Sequence, residues 1–320
     1  MFWSNRGWRR VVGICVLALG CLQVLPSQSF EQPLESNNGF TEEPITPIPQ
    51  PRTTDPLKIK LGELLFSDRR LSHDNSRSCS SCHDLSTNGA STNSRDLGTN
   101  GSKLQLNTLT VFNAALNFRY GWEGKLRTLE SDGKASLESP QIMRTSMPEV
   151  VAKLSADAGI SRRFIAAYGS GPDAGNVLDA LASFERSLVT PGSKFDRWLA
   201  GDTTALAPNE LEGYRLFKSL GCVSCHQGVN IGGNLFQRHG IFHPLASPQP
   251  EILRVPSLRN VATTPPYFHD GSAPTLDDAV RKMGLAQLNS TLTDQQVNAI
   301  VAYLHSLTGT YRGAPVKGAP

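Results

Sequence analysis

Apolar residues recur at helical spacing in several separate segments of the chain. In "DPLKIKLGELLFSD", Leu57, Ile59, Leu61, Leu64 and Leu65 share one face of a predicted helix. The same periodicity predicts helices in "TSMPEVVAKLSADAGISRRFIAAYG", "NVLDALASFERSLV", "APNELEGYRLFKSLG", "TLDDAVRKMG" and "LTDQQVNAIVAYLHSLTG". The sequence has no long strand-like alternation of apolar and polar residues. We therefore predict a mainly α fold with long loops.

Capping and breaking residues indicate where some of these helices begin and end. Pro191 should stop the helix that contains "NVLDALASFERSLV", and Gly309 should stop the last one. Asn209 and Thr293 are the predicted N-caps of two helices in the second half of the chain.

The N-terminus has the pattern of an export signal. Three arginines precede the apolar run "VVGICVLALGCLQVLP", which at 16 residues is short for a membrane-spanning helix. We predict a signal peptide over residues 1–29, with a lipid anchor at Cys21 as the less favoured alternative, and expect the mature protein in the periplasm. Residues 30–57 are rich in Pro and acidic residues, which indicates a linker with an extended segment.

A coarse internal repeat divides the rest of the chain. Each half has a helix with "LGELLFSDRRLS" or "LEGYRLFKSLG", then Cys-x-x-Cys-His, then a loop and more helices. The repeat predicts two domains, over residues 58–200 and 201–313, with a tail over 314–320. Each domain should surround one covalently bound haem.

The two Cys-x-x-Cys-His motifs carry the chemistry of this prediction. Cys79 and Cys82 precede His83, and Cys222 and Cys225 precede His226. Two cysteines at this spacing form thioethers to one porphyrin, and the following His binds the iron. The alternative, one zinc site made from both Cys pairs, does not account for the His after each pair in an exported chain. We predict two c-type haems, with His83 and His226 as proximal ligands.

The second haem has a candidate for its other axial ligand. Met283 lies 57 residues after His226 and is followed by the terminal helix, as in a small cytochrome c with His/Met ligation. The rival ligands on this side of the chain are His239, His243, His269 and His305.

The first haem has no comparable partner. Residues 84–142 contain no His, Met or Cys, and Met143 is the first Met after His83. Ligation by Met143 would make the chain a two-haem electron carrier, whereas an open iron would bind a small substrate such as peroxide.

Beyond these motifs, "NTLTVFNAALNFRYGWEG", "FDRWLAGD", "VPSLRNVATTPPYFHDGSAPTLDDAVRKMG" and "LTDQQVNAIVAYLHSLTG" resemble the bacterial di-haem cytochrome c peroxidases of the MauG superfamily. The resemblance covers roughly residues 56–309. It implies that the N-terminal haem is peroxidatic and that the C-terminal His/Met haem receives electrons from a small cytochrome c or cupredoxin.

The same resemblance implies roles for other residues. Trp122 matches the family's Trp between the two haems. Asn107, Thr264 and Pro266 fall where the family binds Ca²⁺ through one side-chain oxygen and backbone carbonyls. Arg259 is a candidate partner for a haem propionate. The family also often forms homodimers.

The sequence departs from the family pattern around the first haem. Asn100 stands near the position where many members have a closing distal His, and Ile142 replaces the active-site Glu. The family's neighbouring Gln aligns with Asp132, while Met143 aligns with a residue that is not a ligand. Our hypothesis is that Asp132, its pKa raised by burial, replaces the missing Glu as catalytic acid–base. The alternative is that Asp132 is a solvated loop residue.

The leading functional prediction is a periplasmic peroxidase that reduces H₂O₂ to water. The alternatives are a MauG-like oxidase of a protein or organic substrate, and a di-haem electron carrier without enzymatic activity. The net charge of +3 and the lack of basic runs argue against a nucleic-acid partner.

Overall fold

The fold was analysed in a computed structural model, which describes residues 43–51 and 55–318. The predicted signal peptide, the first part of the predicted linker and the last two residues of the tail lie outside the described residues. Within the part of the chain that is described, no helix is long and apolar enough to cross a membrane.

Helices dominate the architecture, as predicted. They are α1 (Pro56–Phe66), α2 (Leu129–Glu138), α3 (Met147–Ser155), α4 (Ala158–Tyr168), α5 (Ala174–Ser187), α6 (Lys194–Leu199), α7 (Pro208–Ser219), α8 (Leu276–Leu288) and α9 (Asp294–His305). Short antiparallel pairs join β1 (Phe236–Arg238) to β2 (Ile252–Arg254) and β3 (Thr310–Tyr311) to β4 (Ala314–Pro315). Single 3₁₀ turns occur at Arg69–Leu71, Cys79–Ser81, Ala114–Leu116, Cys222–Ser224 and Val261–Thr263.

One of the two predicted N-caps is wrong. Thr293 caps α9, its hydroxyl accepting from the amide of Gln296. Asn209, in contrast, lies inside the first turn of α7, because that helix already begins at Pro208. Pro is favoured at the first helical position, since its missing N–H is not needed there.

Two apolar cores organise the described chain. The first lies among α1, α3, α4 and α5 and includes Leu65, Val150, Phe164 and Phe184. The second lies among α6, α7 and α9 and includes Tyr214, Val297 and Tyr303. We call residues 55–192 the N-terminal part and residues 193–318 the C-terminal part.

Glycine allows a close helix crossing in each core. An added Cβ at Gly62 of α1 would overlap the carbonyl oxygen of Ala180 in α5. An added Cβ at Gly213 of α7 would overlap the carbonyl oxygen of Ala299 in α9. The helix that leads into each Cys-x-x-Cys-His motif is thus packed backbone to backbone against a second helix.

The ends of the described chain pack on opposite cores. Ile45 and Ile48, in the predicted linker, are buried, and Ile45 belongs to the second core. Val316, in the predicted tail, is buried in the first core, and Tyr311 packs against Phe112 with ring centroids 4.8 Å apart. Over the described residues, the linker and the tail therefore contribute to packing, which their Pro-rich composition did not indicate.

A buried hydrogen-bonded cluster joins the two parts. The side-chain amides of Asn113 and Asn260 donate to the same hydroxyl oxygen of Thr190, over 2.8 and 2.9 Å. Asn113 and Asn260 occupy equivalent places, since each has positive φ and precedes a 3₁₀ turn. Thr190 and Gly309 occupy equivalent places too: the backbone amide of Thr190 donates to the side-chain oxygen of Asn113, and that of Gly309 donates to the side-chain oxygen of Asn260. At Gly309 an added Cβ would overlap the carbonyl oxygen of Thr190.

The loop after each Cys-x-x-Cys-His motif also donates a hydrogen bond to the other part. Asn88, five residues after His83, donates its side-chain amide to the carbonyl of Thr263 in the C-terminal part. Asn230, four residues after His226, donates to the carbonyl of Asn113 over 3.1 Å in the N-terminal part. All four of these residues are buried. Loss of either bond would therefore leave a buried amide donor without an acceptor, which is costly in free energy.

Replacing Thr190 by Val should destabilise the protein by about 2–5 kcal/mol, because two buried amide donors lose their shared acceptor without a change in shape. Denaturant unfolding of the holoprotein measures this loss. The exposed Thr291 supplies the control, since Thr291→Val removes a hydroxyl without a described partner. A Thr190→Val variant as stable as that control would show that the cluster does not hold the two parts together.

Candidate haem sites

The first motif presents its groups on a single turn. The 3₁₀ turn Cys79–Ser81 is closed by the amide of His83, which donates to the carbonyl of Cys79 over 3.0 Å. Nδ1 of His83 lies 3.1 Å from the carbonyl oxygen of Gly89. Because a carbonyl only accepts, Nδ1 carries the proton and Nε2 keeps a free lone pair. Burial lowers the pKa of His83, which favours the neutral, metal-binding form.

The second motif repeats this geometry. The turn Cys222–Ser224 is followed by His226, whose Nδ1 lies 3.2 Å from the carbonyl oxygen of Ile231. Burial lowers the pKa of His226 to about 4. The four cysteines of both motifs are free thiols and partly exposed, as attachment to a porphyrin requires.

An apolar cavity of about 370 Å³ lies beside the second motif. Cys222, Cys225 and His226 line it on one side, and Met283 of α8 also contributes to its wall. Two thiols, one imidazole with a free lone pair and one thioether in an apolar cavity form the donor set of a c-type haem with His/Met ligation. The residues present therefore fit that cofactor.

Two of the rival histidines line the same cavity. Nε2 of His239 and of His269 lies within 3.0 Å of a backbone carbonyl, that of Pro250 or Ser247, and Nδ1 of His239 is buried without a hydrogen bond in the described chain, so His239 also keeps a free ring nitrogen. His243 lies 2.9 Å from the side-chain oxygen of Asn289. His305 is exposed in the last turn of α9.

Trp122 stands at the boundary of the two parts. It lines the cavity beside the second motif and donates its indole N–H to the carbonyl of Asn107 over 2.7 Å. Trp122 and His269 hold equivalent places, since each lies between the paired residues of a short β-bridge, Tyr120 with Leu126 and Tyr267 with Ala273. Their rings meet edge to face with centroids 6.3 Å apart.

The residues predicted to bind calcium also line this cavity. Asn107, Thr264 and Pro266 all contribute to its wall. The carbonyl of Asn107 receives the Trp122 indole N–H, and its side-chain amide donates to the carbonyls of Asn93 and Ser94. The three residues therefore share the wall of one cavity.

Two carboxyl groups with raised pKa values lie where α2 packs on α5. Asp132 is in the first turn of α2 and half-buried, which contradicts the alternative of a solvated loop residue. Burial raises its pKa to about 6, although the charge of Arg254 acts in the opposite direction. Burial, and then the charge of Asp132, raises the pKa of Glu185 in α5 to about 8. An ion pair between Glu130 and Arg186 joins the N-terminal end of α2 to the C-terminal end of α5.

The residues that depart from the family pattern have plain structural roles. Met143 is buried in the first core, and Ile142 packs against that core. Asn100 is exposed, and its side-chain oxygen accepts from the amide of Ser102.

Arg259, predicted as a partner of a haem propionate, also lines the cavity beside the second motif. Arg259 is buried, and its guanidinium donates to Asp196, to the carbonyl of Val229 and to the carbonyl of Thr46, each over 2.8 Å. Its charge is neutralised by Asp196. Arg259 therefore fastens the segment 43–51 to the C-terminal part.

Sequence analysis missed Glu185 and Arg254. Glu185 lies within the helical segment "ASFERSLV", where an acidic residue between apolar ones is typical of an exposed helix face. Only the packing of α2 on α5 reveals its burial. Arg254 directly precedes "VPSLRN" and lies on a short strand, and nothing in the sequence around it indicates burial or a ligand.

Comparison with known proteins places the chain in a family. The family model for di-haem cytochrome c peroxidase matches residues 56–204, and the cytochrome c model matches residues 211–308. The cytochrome c551 peroxidase of Nitrosomonas europaea is 39% identical over 83% of this chain and 84% of that protein. The chain belongs to the di-haem cytochrome c peroxidase family. It is accordingly an oxidoreductase of the peroxidase class with two c-type haems, as predicted.

Two further relatives support this assignment. Cytochrome c peroxidase Ccp of Escherichia coli strain K12 is 39% identical over 84% of this chain, which spans 62% of the length of that relative. Among solved structures, a MauG-like protein associated with microbial copper homeostasis is 26% identical, with a TM-score of 0.72 over 82% of this chain and 93% of that one.

The raised pKa of Glu185 predicts how stability depends on pH. The folded protein holds a proton on Glu185 that the unfolded chain releases near its ordinary pKa, so folding is favoured at low pH and this contribution is lost as pH rises towards about 8. The slope is at most about 1.4 kcal/mol per pH unit. Glu185→Gln should flatten the fall between about pH 4.5 and 8, whereas Glu138→Gln, at an exposed position, should not. Denaturant unfolding across this range tests it, and an unchanged slope in Glu185→Gln would contradict the assignment.

Proposed function

We propose that this protein reduces H₂O₂ to two molecules of water, with two electrons from a small cytochrome c or cupredoxin and two protons. The observation that carries the proposal is the pair of His-bearing turns with the same hydrogen-bond geometry, one in each part, with Trp122 on the wall of the cavity beside the second turn. The predicted N-terminal export signal supports a periplasmic location for this reaction. Because members of the family often form homodimers, a homodimer is the proposed working form.

Electrons enter at the C-terminal haem. His226 and Met283, which line the same cavity, would hold the iron of this haem, and His/Met ligation raises the reduction potential of a haem. Three large apolar side chains next to this cavity are strongly exposed: Ile241, Phe242 and Leu285. The amide of Phe242 donates to the carbonyl of Ala286 in α8, the helix that carries Met283. An electron donor with an apolar contact face would dock here, close to the haem.

Trp122 lies on the route between the two haems. Its ring is held by the hydrogen bond to Asn107, and its backbone carbonyl accepts from the amide of Arg254 over 2.7 Å. Side chain and backbone are therefore both fixed, which keeps the indole in one orientation at the boundary between the parts.

The N-terminal haem is the site of peroxide reduction. A c-type haem held by Cys79, Cys82 and His83 would supply the binding of peroxide and the electrons for cleavage of its O–O bond. The protein must supply protons. Asp132, with a pKa of about 6, can hold and release a proton near neutral pH, and Glu185 can replenish it. This pair takes the place of the carboxylate that Ile142 has replaced.

Peroxide turnover with a reduced small cytochrome c tests the activity itself. Asp132→Asn should lower kcat by about 10²-fold, the smaller end of what general acid–base catalysis contributes, with both haems still attached. Glu138→Gln, on the exposed face of the same helix, is the matched control. Full peroxide turnover in Asp132→Asn would contradict a role of Asp132 in proton transfer.

The haem spectra and the choice of reducing substrate distinguish the peroxidase from the two alternative functions. Two low-spin haems that do not respond to peroxide, even after half-reduction, would indicate an electron carrier. Peroxide consumption with oxidation of an organic or protein substrate, but not of a small cytochrome c, would indicate a MauG-like oxidase.

We propose further that Ca²⁺ binds at Asn107, Thr264 and Pro266. Support comes from their common place on the cavity wall and from the bond between Asn107 and Trp122. Removal of Ca²⁺ with a chelator should lower peroxide turnover, and added Ca²⁺ rather than Mg²⁺ should restore it, since Mg²⁺ requires a smaller and more regular oxygen shell. Turnover that is indifferent to the chelator would contradict a functional calcium site.

A further inference from the structure

Arg254 is fixed at the boundary of the two parts. It is the last residue of β2, and its side chain and backbone are 3% exposed. Its amide donates to the carbonyl of Trp122 over 2.7 Å, and its Nε donates to the carbonyl of Gly121 over 3.1 Å. The guanidinium is therefore held in place by the same segment that carries the Trp between the haems.

One end of this guanidinium has no partner in the described chain. Nη1 of Arg254 is buried without a hydrogen bond, and no carboxylate of the described residues lies within ion-pair distance of it. Arg259, the other buried arginine nearby, differs in this respect, because Asp196 and two carbonyls use its donors. A buried guanidinium without an ion-pair partner is costly, and burial lowers the pKa of Arg254, although the charge of Asp132 acts in the opposite direction from beyond ion-pair distance.

The position of Arg254 indicates which anion belongs there. Arg254 lines the cavity that also contains His226, Cys222 and Met283. The haem that belongs in this cavity has two ionised groups, its propionate carboxylates. A guanidinium recognises a carboxylate by two parallel hydrogen bonds, which is the strongest pairing that an arginine makes.

We propose that Arg254 binds a propionate of the C-terminal haem. The carboxylate completes the hydrogen bonding of Nη1 and neutralises the buried charge. Because Arg254 also holds the carbonyls of Gly121 and Trp122, it ties the haem edge to the backbone of the Trp. Arg254 is thus a positioning residue for the electron path. The inference depends on haem binding in the cavity and not on peroxide reduction.

A redox titration of the holoprotein tests this inference. A positive charge beside a haem stabilises the reduced form, so Arg254→Gln should move the midpoint potential of the C-terminal haem downwards. Arg254→Lys keeps the charge and should move it less. Met283→Gln identifies which redox wave belongs to this haem. The propionate-bending band in the resonance Raman spectrum of that haem should shift in Arg254→Gln as well.

Controls separate this effect from a general disturbance. Arg238, at the other strand of the same pair, is exposed and paired with Glu251 over 2.6 Å, so Arg238→Gln should leave both redox waves in place. Haem absorbance per protein confirms that both haems are attached. Unchanged potentials and Raman bands in Arg254→Gln would overturn the proposal. A shift confined to the N-terminal haem would overturn it too, by assigning the guanidinium to the other cofactor.

Discussion

An imidazole that binds a haem iron must keep one nitrogen bare and directed at the metal, and much of this fold follows from that constraint. In each part the chain returns five or six residues after the His to place a backbone carbonyl against Nδ1, as Gly89 and Ile231 do. The return loop then has to be held. Asn88 and Asn230 hold it by bonds to the opposite part, so each proximal ligand is oriented by a loop that depends on both parts. The two sites therefore cannot be treated as independent modules.

The same scaffold carries different chemistry in its two copies. Trp122 and His269 occupy equivalent places, yet the indole lies between the parts and the imidazole lines the cavity of the second motif. Around the first motif, two carboxyl groups with raised pKa values lie nearby on α2 and α5. Around the second, the equivalent helix α8 instead presents Met283. In the proposed mechanism, proton handling and electron entry therefore fall to equivalent helices of the two parts.

The sequence was sufficient for features whose signal is local. Helical periodicity and the Cys-x-x-Cys-His spacing predicted the mainly α fold and the two haems, because both depend on a few neighbouring residues. Features that depend on contacts between distant segments could not be predicted in this way. The burial of Glu185 requires α2 to pack on α5, and the pairing of Arg259 with Asp196 joins residues 63 positions apart. For the same reason the sequence did not reveal the ion pair of Arg259 with Asp196. The role of Arg259 as a propionate partner stays a prediction.

The contact between Thr190 and Gly309 bears on how such a chain could arise. One hydroxyl serves two amides, and the equivalent residue must be glycine because a second side chain would overlap the backbone of Thr190. Two identical single-haem units, related by a true twofold axis, would present either two threonines, which do not fit, or two glycines, which offer no hydroxyl. Two copies can build this contact only after their sequences have diverged at this position. The asymmetry of the two halves is therefore a condition for the present interface and not an accident of drift.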